Sequence, residues 1–208
     1  MNRRENHSPQ GEATRILIEF LEVAITAIVF LKGVYPSGGF LPTHYFRAFE
    51  RRRYLNMVVQ RARHPQLRYY IHVAVSGLAP YLEQGMVERV AVVFFNSDNV
   101  PLEKFVFKLA MNQSYDSKVE PMDLESSLRS FLVKLSVSNS LTKDLPQDIR
   151  WEITGYFKSL PMGGTNKEAE LWIPTDTELW QQPPLITPIR SMSSESLCLQ
   201  LYLEHPSL

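Results

Sequence analysis

The sequence contains a single cysteine and no excess of charge of either sign. Because Cys198 has no second cysteine to pair with, an intrachain disulfide framework is excluded, and this composition fits a reducing compartment. Basic and acidic side chains number 22 each, so no overall field draws the chain onto nucleic acid or a membrane. The 208 residues, 44% of them hydrophobic, predict one soluble domain, with two small domains as the alternative.

Long uninterrupted hydrophobic runs are also missing. The polar N-terminus has no apolar signal-peptide core, which predicts a short disordered arm. The most apolar stretch, between Arg15 and Lys32, is interrupted by Glu19 and Glu22 and is shorter than the roughly 18 clean apolar residues of a membrane span. A helix that is apolar on most faces is typical of the buried centre of a domain, and Gly33 is a suitable stop for it.

Sequence motifs for metal binding, phosphate binding and nucleophilic catalysis are absent. The five histidines are scattered, and a structural zinc site with one cysteine would need an unusual ligand set. The glycine pair Gly163 and Gly164 lacks the lysine and the spacing of a phosphate loop. Catalytic groups need only meet in space, but nothing in the sequence argues for them. We therefore expect no enzyme, no catalytic residue, no metal and no cofactor.

Hydrophobic periodicity predicts two further helices after the N-terminal one. The second starts at Pro65, a residue suited to a first helical turn, is expected to kink at Pro80 and ends at Gly85. The third runs from Met122 to Val137 and carries a stripe of leucines and one phenylalanine at helical spacing.

Strand patterns follow, and they do not alternate singly with helices. "VERVAVVFF" and "VPLEKFVFKL", joined by "NSDN", predict a hairpin, and "RWEITGYF" and "EAELWIP" predict two more strands. This order favours an α+β fold with an antiparallel sheet.

The last predicted strand reaches almost to the C-terminus. From Leu197 to Glu204, leucines occupy every second position, so one side is apolar while Cys198, Gln200 and Tyr202 lie on the other. The preceding stretch "TDTELWQQPPLITPIRSM" has three prolines and no period, and we expect a long irregular loop there.

A basic segment lies in the first half of the chain, where residues 37–60 show the least regular pattern. From Arg47 to Arg68 there are seven arginines against Glu50 alone, with three tyrosines nearby. Arginine with tyrosine suits single-stranded DNA, through phosphates and stacked bases. The same residues suit a protein interface or a merely solvated loop.

Five stretches together resemble a HORMA domain: "EFLEVAITAIVFLKGVYP", "RHPQLRYYI", "VERVAVVFFNSDNVPLEKFVFKL", "LRSFLVKLSV" and "LQLYLE". Within that family they are similar to the non-catalytic accessory subunits of translesion DNA polymerase zeta. The resemblance implies three main helices packed on a central antiparallel sheet, with a C-terminal "safety belt" at about residues 160–204. It divides the chain into a disordered arm (1–11), one HORMA domain (12–204) and a tail (205–208). The extra segment from Leu41 to Phe49 departs from the family, which has a shorter connection there.

The resemblance also implies a function, that of an adaptor in DNA-damage tolerance. The belt would trap a proline-rich peptide from the catalytic subunit of polymerase zeta, and Tyr70 and Trp172 match the aromatic residues that contact it. Leu185, Gln200 and Tyr202 match the surface that docks the C-terminal domain of a Y-family scaffold polymerase.

Further partners are implied in the same way. Arg129, with Lys134 close by, matches a position used in HORMA–HORMA dimerisation, and a HORMA-remodelling AAA+ ATPase is a further expected partner. The resemblance implies a nuclear and also a cytoplasmic location. A checkpoint-type HORMA protein, acting on mitotic or meiotic partners through the same belt, is the alternative function.

Overall fold

The computed structural model describes residues 9–35, 48–112, 121–138, 145–146, 148–159, 172–175, 180 and 182–206. Four helices and seven strands lie within these ranges. The helices are α1 (Pro9–Leu31), α2 (Pro65–Ser76), α3 (Ala79–Glu83) and α4 (Pro121–Val137). The strands are β1 (Phe49–Tyr54), β2 (Met57–Ala62), β3 (Val87–Phe95), β4 (Pro101–Met111), β5 (Arg150–Phe157), β6 (Leu185–Ser193) and β7 (Leu197–His205).

Helix α1 is the buried central helix that the sequence predicts. Phe20 is fully buried and meets Phe107 of β4 and Phe131 of α4 edge to face, with ring centroids 6.2 and 6.0 Å apart. The helix ends before Gly33, whose φ of 64° suits a residue without a Cβ.

The start of α1 corrects the predicted disordered arm. The helix already begins at Pro9, so residues 9–11 are helical, and residues 1–8 lie outside the described part. Proline fits a first helical turn because its missing N–H would have no partner there. Further along the helix, Arg15 pairs with Glu12 at 2.7 Å and with Glu19 at 2.6 Å. These i,i+3 and i,i+4 pairs stabilise the N-terminal part of α1.

The second predicted helix is broken rather than kinked. It starts at Pro65 as expected, but α2 ends at Ser76, and a separate short helix, α3, contains Pro80 in its first turn. Proline has no N–H to continue a helical ladder, so the chain restarts around it. Gly85, with φ of 64°, then directs the chain into β3.

The main sheet has five strands in the order β5-β3-β4-β7-β6, and all neighbouring pairs are antiparallel. The predicted β3–β4 hairpin is confirmed, with Val92 opposite Phe105. Helices on one face and an antiparallel sheet confirm the α+β prediction. The C-terminal strand β7 is therefore an inner strand of the sheet.

Two predictions about the C-terminal half are wrong in part. The stretch expected to be an irregular loop contains β6, an edge strand. Its Pro188 lies beside a register shift, and an edge strand at a bulge is where a sheet accepts a residue without an N–H. Of the predicted strand "EAELWIP", residues 168–171 lie outside the described part, and Trp172–Pro174 form no strand.

The basic segment also contains regular structure that the sequence analysis missed. Strands β1 and β2 pair as a separate two-stranded sheet, with Tyr54 opposite Met57. The two turn residues, Leu55 and Asn56, have φ values of 45° and 57°, as tight hairpin turns require.

Strand β7 shows the two faces that its alternation predicts. Leu197, Leu199, Leu201 and Leu203 are at most 1% exposed and join the core that contains α1 and α4. On the other face, Cys198 and Gln200 are exposed, and a smaller apolar cluster of β3 and β4 residues lies next to Tyr202.

A buried ion pair joins the end of α1 to the sheet. Lys32 Nζ lies 2.7 Å from Glu103 Oε2, and both side chains are at least 93% buried. Burial raises the pKa of Glu103, against the opposing effect of Lys32. Lys32 is therefore the main group that favours the charged carboxylate in the core, with a smaller effect from His205.

We expect Lys32→Met to lower the free energy of unfolding by about 3–5 kcal/mol, because it leaves a buried carboxylate without its partner. The loss should be larger at neutral than at acidic pH, since a carboxyl with a raised folded-state pKa stabilises the fold only while protonated. Urea denaturation at both pH values measures this. The double variant Lys32→Met/Glu103→Leu should recover most of the stability; a double variant as unstable as the single one would contradict this reading.

Candidate functional site

Strand β5 forms an open edge of the main sheet. In the described part of the chain it pairs with β3 alone. The backbone N–H of Ile153 points away from β3, because it donates a hydrogen bond to the Tyr70 hydroxyl at 3.1 Å. Every second residue of an antiparallel strand has this orientation, so Trp151 and Gly155 also direct backbone groups to the open side. The edge is therefore suited to accept a further strand.

Tyr70 lies against the first half of this edge. Its ring meets that of Trp151 edge to face at 5.4 Å, and the indole N–H of Trp151 donates to the Tyr35 hydroxyl at 3.2 Å. Burial raises the pKa of Tyr70, so the phenol stays protonated. A phenol that accepts from Ile153 still has its own O–H to donate.

Trp172 lies against the second half of this edge. Its ring meets Phe157 edge to face at 6.2 Å, and Phe157 in turn meets Tyr81 at 5.3 Å. Gly155 permits this packing, because a Cβ there would lie 3.2 Å from the Trp172 ring and 3.0 Å from Phe157. The indole Nε1 of Trp172 is buried and has no hydrogen-bond partner among the described residues. Trp172 thus holds an unused donor beside the edge.

The structure therefore brings both predicted peptide-contact residues to one strand. Trp151 and Phe157 are six residues apart, which corresponds to about 20 Å of extended chain. Tyr70 contacts Trp151 and Ile153 in the first half of this length, and Trp172 contacts Gly155 and Phe157 in the second half. An extended peptide would therefore meet main-chain hydrogen-bonding groups beside both aromatic rings.

The opposite edge, β6, carries one of the three predicted docking residues. Leu185 is 48% exposed and pairs with His205, whereas Pro188 pairs with Tyr202 and Ser191 with Gln200. Directly paired residues share a face of a sheet. Gln200 and Tyr202 are thus brought together, but Leu185 points to the other face.

Ile186, the neighbour of Leu185, takes the place that Leu185 was expected to have. It pairs with Glu204 on the face of Tyr202 and is 62% exposed. A one-residue difference decides the face because strand side chains alternate.

Tyr202 is less exposed than its position predicts. It is half-buried against the small cluster of β3 and β4, and its hydroxyl is hydrogen-bonded to Arg89. Burial raises its pKa despite that bond. Only part of this ring is therefore available to a partner.

Comparison with known proteins decides the family of this fold. The HORMA domain family model matches residues 14–163. The chain belongs to the HORMA domain family. It is 61% identical over 205 residues to the DNA polymerase zeta processivity subunit of Arabidopsis thaliana, covering 99% of this chain and 91% of the relative. It is 30% identical to the human mitotic spindle assembly checkpoint protein MAD2B, over 91% of this chain and 89% of that protein.

Solved structures agree on the fold. A chain in the crystal structure of a mitotic checkpoint complex superimposes with a TM-score of 0.76 at 15% identity, covering 94% of this chain and 99% of that one. The C. elegans protein HTP-2 bound to a HIM-3 closure motif gives 0.72 at 10% identity, covering 97% and 93%. The predicted HORMA fold is confirmed. The relatives' names, a processivity subunit and checkpoint proteins, also confirm the prediction of a non-catalytic accessory protein.

Helix α4 of this HORMA domain carries the predicted dimerisation residues. Arg129 and Lys134 are both exposed, but they are five positions apart and lie on different sides of the outward surface. Arg129 shares its side with Val133 and Val137, which are 47% and 61% exposed. An arginine beside two exposed valines is compatible with an interface, which stays a prediction.

The sequence analysis missed the residues that build the site around Tyr70 and Trp172. Trp151, Ile153, Gly155 and Phe157 alternate along "RWEITGYF" and so share one face. The sequence shows this alternation, but alternation does not reveal whether a strand lies at the edge or in the centre of a sheet.

Trp180 is a second residue that the sequence analysis did not identify. Its indole N–H donates to Glu204 of β7 at 3.2 Å, and the Lys104 ammonium lies 5.5 Å from its ring centre. It therefore anchors the segment before β6 against the inner strands, although the sequence around it shows no period.

Two classes of site find no support in the described ranges. No group of three or more His, Cys, Asp and Glu side chains there is arranged to hold a metal ion. None of the helices in these ranges has the length and apolar character needed to cross a bilayer.

Proposed function

We propose that this chain is the adaptor subunit of translesion DNA polymerase zeta, and that it traps a proline-rich peptide of the catalytic subunit between β5 and the C-terminal segment. In this function it also bridges to the C-terminal domain of a Y-family scaffold polymerase, in the nucleus. The observation that carries the proposal is the open β5 edge with Tyr70 and Trp172 beside it. The relative at 61% identity, named as a polymerase zeta subunit, supports the choice of partner.

The path of the chain supports enclosure of a peptide. Strands β5 and β6 are opposite edges of the sheet, so the connection between them crosses four strand spacings, about 19 Å. Two residues of this connection contact the sheet: Trp172 lies beside Gly155 of β5, and Trp180 lies beside Glu204 of β7. A peptide on the β5 edge would lie next to the start of this crossing segment, which is the safety belt of the proposal.

The chemistry of the edge favours proline. Proline residues supply carbonyl oxygens but no N–H, and extended proline-rich segments dock onto aromatic surfaces. The outward N–H groups of Trp151 and Gly155, the Tyr70 hydroxyl and the unpaired Trp172 Nε1 are donors for such carbonyls, whereas the Ile153 N–H already donates to Tyr70. Proline rings would pack on the Tyr70 and Trp172 side chains.

The surface for the scaffold polymerase is proposed on the other face of β7. Gln200 is exposed there, next to half-buried Tyr202 and exposed Ile186. Because the leucine face of β7 packs on the core, the two partners would use different sides of the same closed sheet.

A checkpoint-type function on mitotic partners remains the second candidate, because relatives at 30% identity are named as spindle checkpoint proteins. It would use the same edge and the same belt. Binding of synthetic peptides from both classes of partner to the purified protein distinguishes the two, and we expect the proline-rich polymerase peptide to bind more tightly.

We expect Trp172→Ala to weaken binding of the proline-rich peptide by about 2–4 kcal/mol, the range of a central interface aromatic. Trp172 is only half-buried, so the variant should remain folded. Calorimetry measures the affinity and circular dichroism the fold. The matched control is Ile173→Ala, since the neighbouring side chain is 81% exposed. Unchanged affinity in Trp172→Ala, or loss of its fold, would mean that Trp172 serves the core and not the ligand.

We expect Leu201→Ala and Tyr202→Ala to separate the two faces of β7. Leu201 is 1% exposed, so its truncation should cost about 2–5 kcal/mol of stability and loosen the belt. Tyr202→Ala should keep the proline-rich peptide and lose affinity for the scaffold polymerase domain. Calorimetry with each partner checks both variants. Loss of peptide binding in Tyr202→Ala, with Leu201→Ala unaffected, would refute the two-sided assignment.

A further inference from the structure

A groove on the helix side of the molecule is not used by the proposed function. It lies between α1, the β1–β2 hairpin and α2, and it encloses about 870 Å³. Helix α2 separates it from the β5 edge, because Tyr70 faces Ile153 whereas the neighbouring Tyr69 lines the groove. We call this the arginine groove, after Arg52, Arg53, Arg61 and Arg68, which line it together with apolar residues.

Most of the positive charge of the arginine groove is available. Arg52 pairs with Glu50 at 2.9 Å. Arg53, Arg61 and Arg68 are exposed and form no ion pair within the described ranges. Arg53 lies on the other face of the hairpin from Arg52 and Arg61, because strand side chains alternate. Arg61 and Arg68 therefore contribute two unpaired guanidinium groups to the groove, each with planar donors that fit a carboxylate or phosphate.

The floor and wall of the groove differ from its rim. The apolar surface of the groove comes from Val23, Val59 and Ile71, and Ile71 also belongs to the hydrophobic core. The wall carries one acidic residue, Glu22, whose carboxylate lies 2.8 Å from the Nδ1 of His72. An occupant would thus meet an apolar base, a cationic rim and a single carboxylate that already contacts His72.

These features favour an acidic peptide over nucleic acid. Single-stranded nucleic acid needs a series of aromatic platforms and a strong positive field. The groove offers one widely exposed ring, Tyr69 at 66%, and the chain has no net charge. We propose that the arginine groove binds an acidic, partly apolar peptide segment of a partner protein, with carboxylates on Arg61 and Arg68 and apolar side chains on the floor.

The test begins with a displayed library of short random peptides selected on the full-length protein. Peptides enriched on the wild type but lost on Arg61→Ala/Arg68→Ala should be rich in Asp and Glu. Arg51→Ala is the matched control, because Arg51 is exposed on the same hairpin but does not line the groove. The Arg51→Ala variant should still bind the enriched peptides.

One enriched peptide is then synthesised with its acids and with the corresponding amides, and its affinity is measured by fluorescence anisotropy. The double variant should weaken the acidic peptide at least about tenfold, as expected for lost charged hydrogen bonds. The amide peptide should bind the wild type as weakly as the acidic peptide binds the double variant. Affinity for the proline-rich peptide of the β5 edge should be unchanged in all variants, which separates this test from that of the proposed function.

Several results would overturn the proposal. They are an enriched set without acidic bias or no enrichment at all, equal binding of the amide peptide, and an equal loss in Arg51→Ala. Tighter binding of oligothymidine, lost in the double variant, would identify a nucleic-acid site instead. Self-association of the wild type that the double variant abolishes would identify an interface between copies of this chain.

Discussion

The pairing of β7 with β4 is the interaction on which the rest of the structure depends. Eight residue pairs, from Lys104 with Glu204 to Met111 with Leu197, join the last strand to the centre of the sheet. Its four leucines are at most 1% exposed, and each buried leucine contributes about 1.5–3 kcal/mol. This large apolar contact holds the C-terminal segment closed and adds β6 outside it. The free edge of the sheet that faces Tyr70 and Trp172 is consequently β5.

Closure by β7 also separates the surfaces of the molecule. The leucine face serves the core, the opposite face presents Gln200, and the connection from β5 to β6 must cross the sheet between its two edges. A peptide that adds to β5 gains main-chain hydrogen bonds without disturbing the core. In the proposed function, its release would require movement of the crossing segment, in which Trp180 is hydrogen-bonded to Glu204. Retention of the peptide would then depend on the stability of the C-terminal strands.

Strands with a strong hydrophobic pattern were predicted from the sequence, whereas strands with a weak pattern were missed. Alternating leucines predicted both faces of β7, and the apolar runs predicted the β3–β4 hairpin, because each buries a complete face. Strands β6 and β1–β2 lie outside the sheet centre and bury almost none of their side chains fully, so their sequences show no period. Tyr70 and Trp172 came from the family resemblance. The partner of the Ile153 amide depends on register and on packing of α2, which no local pattern reveals.

The most direct test of this account is amide hydrogen exchange of the full-length protein with and without the proline-rich polymerase peptide. Addition of the peptide to β5 predicts slower exchange at Trp151 and Gly155, whose amides point to the open side, and little change in β6. Ile153 should exchange slowly already without peptide, since Tyr70 accepts its hydrogen bond. Protection confined to β6, with β5 unchanged, would show that the peptide uses the other edge and would contradict the central claim.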